Sequence, residues 1–207
     1  MSSKHTITME IGIIGTGRVG STLGNSWIGA GHKVVYGVRD LKSEKAQKVL
    51  TEQQDAQVVT IDEALRSDII VLAIPASVVE QVLKEHSSSN LSGKVIIDVT
   101  NTIPPAITSN AEKIATVTKA RVAKAFNTIG FNIMADPILG EFRADGYFAC
   151  DQDVRPTVEK LVLDMGLDPV YVGDLTMARH LESLGWLWIS QSRVRGRDFA
   201  FKIVHRT

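Results

Sequence analysis

Short blocks of Val, Ile and Leu recur along the first two-thirds of the chain, and between them the apolar positions fall into helical spacing. Blocks at 11–14, 33–38, 57–60, 69–74, 95–98, 122–125, 147–149 and 169–172 predict strands. Most lack alternation, the pattern of strands buried on both faces of a parallel sheet. Segments 19–30, 43–53, 77–86 and 154–165 predict helices. In the last of these, Val154, Val158, Leu161, Val162 and Met165 share one face. Gly31 suits the position just past the first helix. Ser87-Ser88-Ser89-Asn90 followed by Ser92-Gly93 predicts a surface loop. Residues 176–205 predict one or two helices with a break near Gly196. Leu181, Leu184, Trp188 and Ile189 lie on one face there, a stripe suited to a core or a dimer interface. This alternation predicts an α/β fold, a doubly wound, mostly parallel sheet with a small C-terminal helical segment.

A length of 207 residues suits one domain, or one domain with an appendage. The hydrophobic fraction of 44% and charged fraction of 22% are ordinary for a globular protein. Lys plus Arg equals Asp plus Glu at 23 each, which gives no electrostatic reason to expect nucleic acid or a membrane as partner. Cys150 is the single cysteine, so an intrachain disulfide is impossible and a reducing, cytoplasmic setting fits. The first eight residues are polar and lack an apolar signal core, and runs such as 69–74 and 184–189 are too short to span a bilayer.

The first strand runs straight into Gly15-Thr16-Gly17-Arg18-Val19-Gly20, a G-x-G-x-x-G sequence with a helical pattern behind it. Strand before and helix after is the context that makes this a dinucleotide fingerprint, and the sheet one of Rossmann type. Gly15 makes the tight turn, Gly17 leaves room for a pyrophosphate, and Gly20 lets helix and strand pack closely. Arg18 either adds a charge at the pyrophosphate or is a solvated first-turn arginine.

The second strand ends Gly37-Val38-Arg39-Asp40. NAD-binding folds place an acid there for the ribose hydroxyls, whereas a small residue with a nearby arginine accommodates a 2′-phosphate. Gly37 and Arg39 therefore favour NADP. Asp40 is the counter-indication, and it is read as a cap for the next helix.

These features resemble the NADP-dependent reductases of the deazaflavin coenzyme F-420 and the cytosolic NADPH-binding domains of the six-transmembrane metalloreductases. The stretches that carry the resemblance are 11–20, 36–39, 71–75 (VLAIP), 97–101 (IDVTN), 122–128 (VAKAFNT) and 172–182 (VGDLTMARHLE). The family's usual G-S-R is Gly37-Val38-Arg39 in this chain, so one hydroxyl toward the 2′-phosphate is missing and the preference for NADP should be weaker. The resemblance implies an NADP-binding domain over residues 1–128 and a segment over 129–207 that completes an acceptor pocket. It implies a cofactor groove of Thr16, Arg18 and Val19 at the pyrophosphate turn, Ala73, Ile74 and Pro75 after the fourth strand, and Asn101 after the fifth. Ala125, Phe126 and Asn127 close the sixth. Asn127 either bonds the nicotinamide carboxamide or is a turn residue before Gly130.

Hydride transfer between a nicotinamide and a flavin-type ring needs positioning more than side-chain acid or base. A carbonyl acceptor needs a proton donor, and the segment 128–135 contains no Lys, His or Tyr. Lys124 is a stray candidate that reads better as structural or surface. His5, His32, His86, His180 and His205 are scattered without metal-pair spacing. His180, beside Glu182, reads as packed or solvent-facing. Phe126, Phe131, Met134 and Trp186 wall a flat-ring pocket or pack the core. The expected activity is NADP(H)-dependent hydride transfer to coenzyme F-420, FMN or FAD by a homodimer, with a small-molecule acceptor and no metal. The alternatives are a reductase of a small imine or carbonyl and a non-catalytic NADP(H)-binding module.

Overall fold

The computed structural model describes residues 8–86 and 90–206; His5 and the serines of the 87–90 loop lie outside the described residues. The strands are β1 (Glu10–Ile14), β2 (Lys33–Val38), β3 (Gln57–Thr60), β4 (Ile69–Leu72), β5 (Val95–Asp98), β6 (Arg121–Ala125), β7 (Ile138–Leu139), β8 (Phe142–Arg143), β9 (Asp145–Cys150) and β10 (Asp168–Tyr171). The helices are α1 (Arg18–Gly29), α2 (Glu44–Glu52), α3 (Ile61–Ala64), α4 (Ala76–Glu85), α5 (Asn110–Thr118), α6 (Phe131–Ala135), α7 (Arg155–Asp164) and α8 (Ala178–Arg195).

Eight strands form one sheet in the order β10-β9-β6-β5-β4-β1-β2-β3. Strands β1 to β6 are mutually parallel, with the order reversal of a doubly wound fold between β1 and β4. β9 joins β6 antiparallel and β10 runs parallel to β9, so the later segment extends the same sheet. Because side chains alternate across a strand, Ile11, Ile13, Val71 and Ile97 meet α1, α2, α6 and α7 on one face. Ile70, Leu72 and Ile96 meet α3, α4 and α5 on the other.

Local sequence accounts for the helix ends. Gly31, at φ 90°, follows α1; its N–H bonds the Ile28 carbonyl and the His32 N–H bonds that of Trp27, a Schellman closure. Thr60 with Glu63, and Ser109 with Glu112, form capping boxes at α3 and α5. Ser43, not Asp40, caps α2 by accepting from the Ala46 N–H. Asp40 instead accepts from the Lys42 N–H at 2.8 Å, closing an Asx turn ahead of the cap. Fourth-strand pairing stops at Leu72, two residues short of the predicted end, as the chain turns toward Pro75 and α4. The late segment is one helix, α8, ending at Gly196 with φ 79°, and residues 196–206 continue as irregular chain. Leu181 and Trp188 are buried within the chain itself, whereas Leu184 and Ile189 are half-buried.

The candidate dinucleotide and acceptor site

The β1–α1 corner has the geometry that an anion requires. Gly15 takes φ 112°, and a side chain there would meet the Ala73 carbonyl at 2.6 Å. A methyl at Gly20 would run into the Gly15 carbonyl, so this glycine sets the close approach of α1 to β1. At Gly17 an added Cβ would meet nothing within 4 Å among the described residues. Gly17 is the N-cap of α1, with no side-chain cap and no acid in the first turn. The helix thus presents free N–H groups and the positive end of its dipole to that space.

A cleft of about 480 Å³ follows from this corner along the carboxyl ends of β1, β2 and β4. Gly15, Thr16, Gly17, Gly37, Val38, Arg39, Ala73, Ile74 and Pro75 all line it, so nine predicted residues meet in one crevice. Gly37 contributes backbone only. A Cβ at that position would point inward, 2.8 Å from Ala64 Cβ and from Ile14 Cδ1, so packing of α3 dictates the glycine. Arg39 is exposed in the cleft, and Asp40 lines it too. Lys45, which the motif reading missed, lies in the same wall. Its signal in the sequence is a lysine in the first turn of a helix, where the dipole disfavours a cation unless an anion stands nearby.

Arg18, Val19, Gly20, Asn101, Ala125 and Asn127 lie outside this cleft wall. Gly20 and Ala125 are buried packing positions. Asn101 lines a separate groove of about 690 Å³ between α4 and α5, which begins at Pro75. Asn101 and Asn127 hold one another: Asn101 Nδ2 donates to the Asn127 carbonyl at 2.8 Å, and Asn127 Nδ2 donates to Asn101 Oδ1 at 2.9 Å. Asn127 Nδ2 also donates to the Leu181 carbonyl of α8 at 2.9 Å. Its Oδ1 is buried and has no partner among the described residues. Phe126 just before it adopts φ 61°, rare for a bulky residue and a strain of roughly 1–3 kcal/mol. The ring is held by burial and an edge-on contact with Trp27, 5.7 Å between centroids. α8 lies so close that a methyl on Gly185 would collide with Asn101 Oδ1.

Beneath these amides lies a buried ionic node. Lys124, Asp98 and Glu182 are all 0% exposed. Lys124 Nζ donates to Asp98 Oδ2 at 2.9 Å, to the Thr100 carbonyl at 2.5 Å and to Glu182 Oε1 at 3.0 Å. Glu182 Oε1 also accepts from the Asn110 N–H at 2.9 Å. Lys124 is therefore structural and not at the surface, with all three of its N–H donors engaged. It ties β5 and β6 to α8. Of the other candidates, Phe126 and Met134 belong to the core, and Phe131 and Trp186 are half-buried beneath arginines. His180 faces solvent.

A doubly wound sheet with a G-x-G-x-x-G corner, an uncapped helix end and an adjoining cleft has the build of a dinucleotide-binding domain of Rossmann type. Residues 10–102 match the family described as NADP oxidoreductase, coenzyme F-420-dependent. The metalloreductase STEAP3 of Rattus norvegicus is 30% identical over 188 residues, 84% of this chain. The chain spans only 36% of that relative's length. A protein of Arthrobacter sp. FB24 described as a candidate F-420-dependent NADP reductase has 26% identity and a TM-score of 0.87. That match covers 95% of this chain and 100% of the other. An imine reductase from Aspergillus terreus, 21% identical with a TM-score of 0.68 over 90% of this chain and 62% of its own, shares the fold. Among the described residues no helix is long and apolar enough to cross a membrane.

Proposed function

We propose that this protein binds NADP(H) in the cleft and passes hydride between its nicotinamide and a deazaflavin or flavin acceptor. The pyrophosphate would rest on the N–H groups of α1 beside Gly15, Thr16 and Gly17. The 2′-phosphate would lie between Arg39 and Lys45, since charge-assisted bonds favour a dianion between two cations. Asn127 lies beyond the cleft wall; both of its N–H bonds are used and its Oδ1 has no partner among the described residues, so that oxygen is the acceptor assigned to the carboxamide N–H₂. When bound, the dinucleotide supplies the hydride. The chain's own residues hold the ring's amide, exclude water and set its position.

One observation carries the choice of acceptor. Lys124, the ionisable group closest in sequence to Asn127, is held by three oxygen atoms and is not free to give a proton to a carbonyl or imine acceptor. Hydride transfer between two rings asks for no more than that. The test is loss of the reduced-nicotinamide absorbance when protein and NADPH meet coenzyme F-420, FMN, FAD, a ketone or a cyclic imine. Rapid oxidation with the ring acceptors alone is expected. Turnover confined to the ketone or imine would overturn the reading, as would NADPH binding without turnover of any acceptor.

A further inference from the structure

Phe131 opens α6 just beyond the Asn127 amide, and its ring carries two guanidinium groups. The guanidinium carbons of Arg18 and Arg197 each lie 5.2 Å from its centroid. Arg197 also lies 5.0 Å from the Trp188 ring. Cation–π contact offsets part of the cost of holding two like charges over one ring, yet both side chains belong to exposed residues. Among the described residues, the arginines in salt bridges are Arg121, Arg143, Arg155 and Arg179, and these two are not among them.

The pair is built in place. Asn132 Nδ2 donates to the Arg197 carbonyl at 2.9 Å and to Asp198 Oδ1 at 2.5 Å. Trp188 Nε1 donates to the Phe199 carbonyl at 3.1 Å, and the two rings stack at 5.3 Å. The Trp188 ring also fills the space at Gly130, where a methyl would stand 2.7 Å from Cη2. One turn earlier on α8, Gly185 faces Asn101 and Asn127. The two positive charges therefore stand at the rim of the end assigned to the nicotinamide, brought there from the start and the finish of the chain.

We propose that Arg18 and Arg197, seated on Phe131, bind the anionic arm of the ring acceptor, a phosphate or a carboxylate. This rests on the proposed hydride transfer to a flavin-type ring. The alternative source of the same charge is the dinucleotide's own pyrophosphate, and the experiment separates the two.

FMN and riboflavin share one ring system and differ by a phosphate. With NADPH saturating, kcat/KM for FMN is expected to exceed that for riboflavin by about tenfold or more, a margin of the size expected for charge-assisted contacts. The margin should shrink as salt is added. In Arg197→Ala, and further in the Arg18→Ala/Arg197→Ala double variant, the ratio should fall toward one, through the KM for FMN. Flavin fluorescence quenching on binding to the NADP-loaded protein should show the same loss of preference. A wild-type ratio near one overturns the proposal. So does a ratio that survives both substitutions while the KM for NADPH rises, which would assign the arginines to the dinucleotide. A purely structural role would raise both flavin KM values together. If neither flavin accepts hydride while an imine or ketone does, the proposed function itself falls.

Discussion

Replacing Lys124 by Met tests what holds the C-terminal helix on the sheet. Met nearly keeps the volume and removes the charge, leaving Asp98 and Glu182 buried with no cation between them. Three hydrogen bonds go at once, to Asp98, to the Thr100 carbonyl and to Glu182. Breaking a fully buried ion pair by removing one partner costs roughly 3–5 kcal/mol. For a chain of this size that is a drop of roughly 10 °C or more in Tm, and a large share of a total stability of about 5–15 kcal/mol. Adding Glu182→Gln to Lys124→Met should restore part of the loss, because one of the two stranded charges disappears. A coupling of at least about 1 kcal/mol is expected from side chains in direct contact. Urea unfolding of the wild type, both single variants and the double variant supplies all four corners of the cycle. The reasoning is refuted if Lys124→Met costs less than about 1 kcal/mol, or if the two substitutions simply add.

Three further outcomes follow from the same geometry. Arg39→Ala should raise the KM for NADPH by roughly tenfold or more, as for one lost bond to a charged group, and leave that for NADH nearly unmoved; equal effects in steady-state kinetics would show that Arg39 does not read the 2′-phosphate. Burial pushes the Glu112 carboxyl up, but the Ser109 N–H and hydroxyl and the Arg179 guanidinium outweigh it and hold it below its ordinary 4.5. Its stabilising share is then complete above 4.5 and lost as pH falls through the lower folded value. The urea midpoint gap between wild type and Glu112→Gln should therefore close in acid, and a gap that widens there would contradict the assignment. The Cys150 thiol is wholly buried and pushed up to about 12, chiefly by burial. Iodoacetamide should label it only after unfolding, and rapid native labelling would disprove that burial.

Much of the nucleotide half was legible because its signals are local. β1, α1 and β2 follow from apolar runs, three glycines and one Schellman ending, and they bring six of the proposed groove residues together with the three that follow β4. α5 escaped the hydrophobic pattern because Asn110–Thr118 mixes polar and β-branched residues; Ser109 with Glu112 is the local sign that marks its start. α3 and α6, with four and five residues, are too short for periodicity to register. The antiparallel insertion of β9 was not legible, since a short buried strand carries no sign of its direction. Lys124 was out of reach for another reason: its partners lie 26 and 58 residues away. The inward aim of Gly37 likewise depends on Ala64 of α3, a contact that no local pattern contains.

Titration calorimetry with NADPH and NADH tests the central claim most directly. Saturable, one-to-one binding of NADPH is expected, weaker binding of NADH, and a narrowing of that gap in Arg39→Ala. Folded protein that gives no heat with either nucleotide would contradict the account at its foundation.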